Sequence, residues 1–323
     1  MKMLSHAAQL RRLLRSDLAL VTFILGVAAC SSRDSTSPPA PPPPPQDQWS
    51  VVAGRAWTMT GQTEGYKCAG IHVTSDEYFT GFRLATPSSV QNEVLLTVSD
   101  APIPEGAFDC GAGSDGPRLI YAAGQGTTAI DFPAGFGVHV SPGQYVYLNI
   151  HLVNPADTSV ADSTRIEARA GTAPDVTTPI EMTMTGTFLI NIPSDGQLHT
   201  ATGSCYVAAD AHVLAFLSLM RSRGVHQTVD VLTGSSHQLL FDEDFDWQHE
   251  TYTQLTTPVL IHMGDRITTQ CSYINTGGQT ETYGESVNNE SCFSATYRYP
   301  ISTASNFLAC AATNDANFDT RRE

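Results

Sequence analysis

Short runs in which apolar and polar residues alternate make up most of the chain after residue 48. The clearest are segments 78–84, 93–98, 145–152, 180–190, 212–219, 228–232, 266–273 and 294–299. Gly, Pro, Asn and Asp separate these runs, and helical periodicity is almost absent. The pattern predicts an all-β protein built from antiparallel β-sandwiches.

The part of the chain that carries this pattern is longer than one sandwich core usually holds. It spans roughly 270 residues, which favours two domains. A polar stretch at residues 170–175 marks the predicted boundary. We therefore expect tandem β-sandwiches at residues 49–172 and 173–315, followed by a polar tail at 316–323.

The first 29 residues have the pattern of a secretory signal. Lys2 and three arginines precede an apolar run from residue 18 to residue 29, which is too short to span a bilayer comfortably. The run ends in Val-Ala-Ala-Cys30, which resembles the cleavage box of bacterial lipoproteins. Cys30 is thus the predicted lipid anchor, and an ordinary signal with an incidental cysteine is the alternative. By the habit of such lipoproteins, Ser31 indicates the outer membrane of the bacterial cell envelope.

Residues 30–48 form a predicted linker, rich in Pro and Ser, that cannot bury a core. Removal of the signal takes four basic and one acidic residue from totals of 17 and 32. The remaining 13 basic and 31 acidic residues give a formal charge of −18. So acidic a chain argues against nucleic acid or anionic lipid as a partner. The expected partners are membrane lipid through Cys30 and an unknown envelope protein or small-molecule ligand.

Six cysteines remain after Cys30, and an even number in an exported chain predicts disulfide bonds. They are Cys68, Cys110, Cys205, Cys271, Cys292 and Cys310. Six cysteines allow about 15 pairings, between which spacing alone does not choose.

The segment from Phe245 to Pro300 carries a family resemblance. It contains Phe-Asp-Trp-Gln at 245–248, Gly-Asp at 264–265, Asn-Glu-Ser-Cys at 289–292 and Tyr-Arg-Tyr-Pro at 297–300. In this order, and with its cysteines, it resembles the C-terminal domain of the copper type II, ascorbate-dependent monooxygenases. The N-terminal half matches in order through Tyr-Phe-Thr-Gly-Phe at 78–82, Leu-Ile-Tyr-Ala at 119–122 and Tyr-Leu-Asn-Ile-His at 147–151.

The resemblance implies two jelly-roll-like domains and three disulfide bonds. The implied pairs are Cys68 with Cys110, Cys205 with Cys310, and Cys271 with Cys292. It also implies two copper sites, one with three histidines and one with two histidines and a methionine, because imidazole and thioether suit the copper oxidation states involved.

Five of the six implied ligand positions hold other residues in this chain. The N-terminal positions are Gln91, Asn92 and His151, and the C-terminal positions are Leu219, Arg221 and Ser291. A second alignment register would place His212 and Leu214 in the C-terminal pair. We interpret Gln91 and Asn92 as polar surface residues and His151 as a relic ligand. Arg221 stays protonated and has no lone pair to offer a metal.

These replacements predict a lipoprotein that keeps the monooxygenase fold, lacks catalysis and copper, and acts as a binding or display module. Two alternatives stay open at this point. One is a divergent copper-dependent monooxygenase that hydroxylates a small organic or peptide substrate. The other is a single-site envelope copper carrier built on His151, and a rebuilt copper site with His249 belongs to the same group of alternatives.

Overall fold

The computed structural model describes residues 49–112 and 118–301, together with the backbone of a strand at 308–312. The predicted signal, Cys30, the linker and the tail at 316–323 lie outside the described residues. The strands are β1 Trp49–Met59, β2 Thr63–His72, β3 Glu77–Leu84, β4 Gln91–Ser99, β5 Gly106–Cys110, β6 Arg118–Ala123, β7 Ile130–Asp131, β8 Phe136–Val140, β9 Tyr145–Asn154, β10 Val160–Ala170, β11 Thr178–Pro179, β12 Glu181–Thr187, β13 Asn191–Ile192, β14 Leu198–Tyr206, β15 Ala211–Leu219, β16 Gly224–Thr233, β17 Ser236–Asp244, β18 Thr253–Ile261, β19 Arg266–Ile274, β20 Glu281–Thr282, β21 Cys292–Tyr299 and β22 Leu308–Ala312.

The all-β prediction is confirmed, and each of the eight alternating runs overlaps a strand. The described part of the chain contains no helix, and therefore no helical segment that could cross a membrane. The strands are antiparallel except at the pairings of β11 with β8 and of β12 with β22.

The N-terminal half is a sandwich of a six-stranded sheet and one part of a ten-stranded sheet. The first sheet has the order β1-β10-β3-β8-β11, with β7 beside β3, and the facing strands are β6-β4-β9-β2-β5. Phe82 of β3 stacks on Tyr121 of β6 across the core, with 5.5 Å between ring centroids. Both rings are fully buried, so this contact lies at the centre of the N-terminal core.

The C-terminal half packs a four-stranded sheet against the rest of the ten-stranded one. The order β14-β19-β16-β17 faces strands β18-β15-β21-β12, with β22 beside β12. Phe216 of β15 lies 5.4 Å from Phe241 of β17, and the hydroxyls of Thr185 and Thr269 form a 2.9 Å hydrogen bond between the sheets. These contacts form a second core, smaller than the first.

One sheet runs through both halves. Strand β12 pairs with β6 at Met182 and Leu119, which joins the two parts of the ten-stranded sheet. Beside this junction the buried Tyr297 of β21 donates its hydroxyl to the carbonyl of Ile120 at 2.7 Å. The two sandwiches therefore share a sheet and an apolar cluster, and the domain boundary near residue 172 stays a prediction.

Two of the three implied disulfide bonds are present. Cys68 is bonded to Cys110 at the edge of the N-terminal sandwich, and Cys271 is bonded to Cys292 between the sheets of the C-terminal one. Cys205 is also disulfide-bonded. Its implied partner Cys310 belongs to β22, whose side chains lie outside the described residues.

Replacement of Tyr297 by Phe tests the junction between the halves. The change leaves the buried carbonyl of Ile120 without its hydrogen bond, and we expect the free energy of unfolding to fall by about 1–3 kcal/mol. Tyr299→Phe is the matched control, because that ring lies on the same strand but is partly exposed. Chemical denaturation measures both variants. Equal, small effects would show that the Tyr297 hydroxyl does not stabilise the junction.

Candidate ligand-binding site

A bulge in β4 directs Gln91 and Asn92, two of the ligand positions that the resemblance implies, to opposite faces of the sheet. Strand β4 pairs regularly with β9 except between Gln91 and Glu93, where the register shifts. Gln91 therefore accepts a 2.8 Å hydrogen bond from Thr164 in the facing sheet, while Asn92 bonds His151 on β9. Both residues are 2 % exposed, so the prediction that they are polar surface residues is wrong. The reason is that β4 is a central strand covered on both faces.

His151 has both ring nitrogens engaged in hydrogen bonds. Its Nδ1 accepts from the Asn92 amide at 2.8 Å, and its Nε2 donates to Glu64 Oε1 at 2.7 Å. Tyr66 stacks on the ring at 4.5 Å. Burial lowers the pKa of His151 and the nearby Arg221 lowers it too, although the Glu64 hydrogen bond opposes them. The imidazole is thus held neutral and has no free lone pair.

Glu64 connects this histidine to a loop of the C-terminal half. Its carboxylate also accepts from Ser286 Oγ at 2.8 Å and from the Val287 amide at 2.7 Å. Burial on its own would raise the pKa of Glu64, but the hydrogen bonds from Ser286, Val287 and His151 lower it below its ordinary value. The loop at 285–290 is therefore fixed to β2 by an ionised carboxylate.

Arg221 lies just beyond the end of β15 and is 4 % exposed. Its Nη1 donates to the carbonyl of Ser286, and its backbone amide donates to Glu290 Oε2 at 3.1 Å. Its Nη2 lies 4.0 Å from Glu93 Oε2 and 3.9 Å from Glu285 Oε2. The buried guanidinium thus lies beside two acidic side chains, Glu93 and Glu285, which compensate its charge.

Glu290 holds the turn that carries Arg221. Its two carboxylate oxygens accept from the backbone amides of Arg221 and Arg223 at 3.1 and 2.7 Å. Burial raises the pKa of Glu290 to about 7, although both amides favour the ionised form. A buried acid in this position satisfies backbone donors that no strand pairs.

The remaining C-terminal positions meet at the same place. Ser291 donates its hydroxyl to the carbonyl of Leu219 at 3.1 Å. The two residues of the second alignment register lie elsewhere. His212 stacks on Tyr299 at 4.7 Å between ring centroids, and Leu214 packs in the apolar core. The structure therefore brings together Asn92, His151, Leu219, Arg221 and Ser291, and it leaves Gln91 in the N-terminal core.

A cavity of about 150 Å³ opens where these residues meet. One part of its wall is apolar and aromatic and the other part is polar and charged. The apolar part comprises Leu95, Met184, Phe188, Leu219 and Phe293, and the polar part comprises Tyr66, Glu93, Asn149, His151, Arg221, Tyr283, Glu285 and Ser291. Glu93 is 28 % exposed at its side chain, and it lines this cavity.

A second, much smaller void of about 10 Å³ lies beside the first, with Glu93, Arg221, Trp247 and Glu250 in its wall. Its volume is that of about one water molecule. Glu250 is 4 % exposed, and burial raises its pKa well above the ordinary value, with a further increase from Glu93. Glu250 therefore holds its proton more readily than a solvent-exposed carboxyl group would.

Several residues of the site escaped the sequence analysis. Glu93 directly follows Gln91 and Asn92, and Glu285 and Glu290 lie in the segment that carries the family resemblance. Their closeness in sequence to the implied ligand positions was therefore a usable signal. Glu64 and Tyr66 gave no such signal. They reach the site because β2 pairs with β9, with Tyr66 opposite His151.

The donor groups at this site do not fit the copper ligands that the resemblance implies. His151 is hydrogen-bonded at both nitrogens, Leu219 has no donor atom, and Arg221 is a cation. His249 is 75 % exposed and is paired with Asp246 at 2.8 Å. Among residues 49–112 and 118–301, no group of three or more His, Cys, Asp or Glu side chains is arranged to hold a metal ion.

Glu250→Gln tests the buried carboxyl. The unfolded chain ionises near 4.5 and the folded chain only at higher pH, so the wild-type protein loses stability as the pH rises through this window. Glutamine does not titrate there. We expect the melting temperature of the variant, relative to wild type, to increase by at least about 2 °C between pH 5 and pH 8. The exposed Glu105→Gln should show no such trend, and a pH-independent difference at Glu250 would contradict the assignment.

No protein-family model matches the sequence, and no curated protein does. Solved structures give weak matches. A structure of infectious bursal disease virus, Gx strain, has 9 % identity over 82 % of this chain and 81 % of its own, with a TM-score of 0.19. Vicilin from Solanum lycopersicum (tomato) has 7 % identity over 76 % and 73 %, with a TM-score of 0.16.

Dimeric latent PorU from Porphyromonas gingivalis has 10 % identity over 73 % of this chain, with a TM-score of 0.17. This chain spans only 24 % of the PorU chain. TM-scores this low carry no argument about function. The likeness to copper type II monooxygenases consequently stays a prediction from the sequence motifs.

Proposed function

We propose that this chain is a non-catalytic binding protein of the bacterial cell envelope, anchored through Cys30, with the copper type II monooxygenase fold. It uses the cavity between its two halves to bind a small ligand. The observation that carries the proposal is that four of the six implied ligand positions, His151, Leu219, Arg221 and Ser291, line one cavity. A fifth, Asn92, holds the His151 ring by a hydrogen bond.

The hydrogen bonds around His151 support binding over copper chemistry. A copper carrier needs the lone pair that Asn92 occupies, and a monooxygenase needs a second site where Arg221 now lies. Placing a divalent cation about 4 Å from a guanidinium costs on the order of 8 kcal/mol at an effective dielectric near 20. The two copper alternatives therefore receive less support from this site than ligand binding does.

Copper loading of the purified protein tests the non-catalytic proposal. We expect well under one tightly held copper per chain after loading and removal of excess metal, because no described side chains offer a suitable donor set. A matched variant with Leu219→His, Arg221→His and Ser291→Met restores the implied donor types and should gain copper. Two coppers per wild-type chain, or oxygen consumption with a reductant, would overturn the proposal, and one tight copper without turnover would favour the carrier.

Cys30→Ala tests the proposed anchor. Acyl chains on Cys30 hold the protein to the membrane, so the variant should move from the membrane fraction to the soluble fraction and lose incorporation of labelled fatty acid. Cys205→Ala is a control for general effects of losing a cysteine, since Cys205 is disulfide-bonded and should leave the labelling unchanged. Membrane association that persists without Cys30 would show that another element anchors the chain.

A further inference from the structure

We propose that the cavity binds a small zwitterion with a branched aliphatic tail, such as a free apolar α-amino acid. This inference rests on the proposed binding function and names the class of ligand for that site. It follows from the distribution of charge and apolar surface around the cavity.

The charged end of the cavity contains one cation and two carboxylates that form long ion pairs without a hydrogen bond between them. Arg221 Nη2 lies 4.0 Å from Glu93 and 3.9 Å from Glu285, which is too long for a hydrogen bond. Among the described residues, Nη2 and the Glu93 carboxylate have no hydrogen-bond partner at all. Both groups line the cavity, so they are available to form hydrogen bonds with a ligand there.

The signs of these charges select the ligand. A simple anion near Arg221 would meet two carboxylates, and a simple cation near Glu93 would meet the guanidinium. A zwitterion presents its carboxylate to Arg221 and its ammonium to Glu93 and Glu285, so each charge finds an opposite partner. Guanidinium and carboxylate also match in geometry, because two parallel hydrogen bonds can form between them.

Two of these charged groups, Arg221 and Glu285, are held in place before any ligand arrives. Arg221 Nη1 is bonded to the carbonyl of Ser286, and Glu285 Oε1 accepts from the Tyr283 hydroxyl at 2.6 Å. Tyr66 donates to the carbonyl of Glu285 at 2.7 Å. Little side-chain entropy is therefore lost when a ligand binds, which favours affinity for a small molecule.

The apolar end sets the size and shape of the tail. Its wall includes Leu95, Phe188, Leu219 and Phe293, and none of these carries a polar side-chain atom. A volume of about 150 Å³ matches an engineered apolar cavity in another protein that accepts benzene. The space therefore suits a tail of about four carbons together with the charged head group, as in leucine.

Calorimetric titration of the purified full chain with four matched probes tests this inference. The probes are leucine, isoamylamine, which lacks the carboxylate, isocaproate, which lacks the ammonium, and isoamyl alcohol, which is uncharged. We expect leucine to bind at least about tenfold more tightly than each of the other three. Isoamylamine or isocaproate binding as tightly as leucine would show recognition of a single charge and overturn the inference.

The same titrations separate failure of this inference from failure of the proposed function. If isoamyl alcohol binds as tightly as leucine, the cavity binds small molecules but its charged groups do not determine which ones. This result would refute the zwitterion inference and leave the proposed binding function intact. If none of the four probes binds, both the ligand class and the proposed small-molecule binding function fall.

Two variants assign the charges. Glu93→Gln should weaken leucine binding about tenfold while leaving isocaproate binding unchanged or tighter, and Arg221→Met should weaken leucine and isocaproate but not isoamylamine. Glu167→Gln, which removes a carboxylate that pairs with Arg83 away from the cavity, is the matched control and should bind leucine as wild type does. Thermal unfolding of each variant identifies loss of fold. Unchanged leucine affinity in a folded Glu93→Gln protein would refute the assignment.

Discussion

Continuity of one sheet is the constraint on which the arrangement of this protein depends. The pairing of β12 with β6 places strands of both halves side by side, and the hydroxyl of Tyr297 fastens the second half to a backbone carbonyl of the first. Because backbone hydrogen bonds fix spacing and twist, the ends of β4 and β9 face the end of β15 at a set distance. The cavity is a product of this geometry.

The cavity in turn sets the charge states of its residues. A guanidinium beside a buried imidazole favours the neutral form of His151, and acids around the guanidinium keep its charge tolerable at low exposure. Burial raises the pKa of the two acids Glu250 and Glu290, so they ionise at higher pH than surface carboxylates do. The region behaves as one electrostatic unit because a low-dielectric interior strengthens every pair.

The fold was predictable from alternation because strand patterns depend on local sequence. The two disulfide bonds that are described, Cys68 to Cys110 and Cys271 to Cys292, followed from the motif resemblance and not from spacing. The burial of Gln91 and Asn92 was not predictable, since it results from a bulge and from coverage by a distant strand. Glu64 could not be foreseen for a similar reason: its partners, Ser286 and Val287, lie more than two hundred positions away along the chain.

Arg221 also constrains how the sequence can vary over time. Its backbone amide depends on Glu290, and its guanidinium on Glu93, Glu285 and the carbonyl of Ser286. A neutral residue at this position would leave the neighbouring acids uncompensated, and loss of one acid would leave the buried cation in excess. Substitutions here are thus mutually dependent, and positions 93, 221, 285 and 290 should covary in chains that share this cavity.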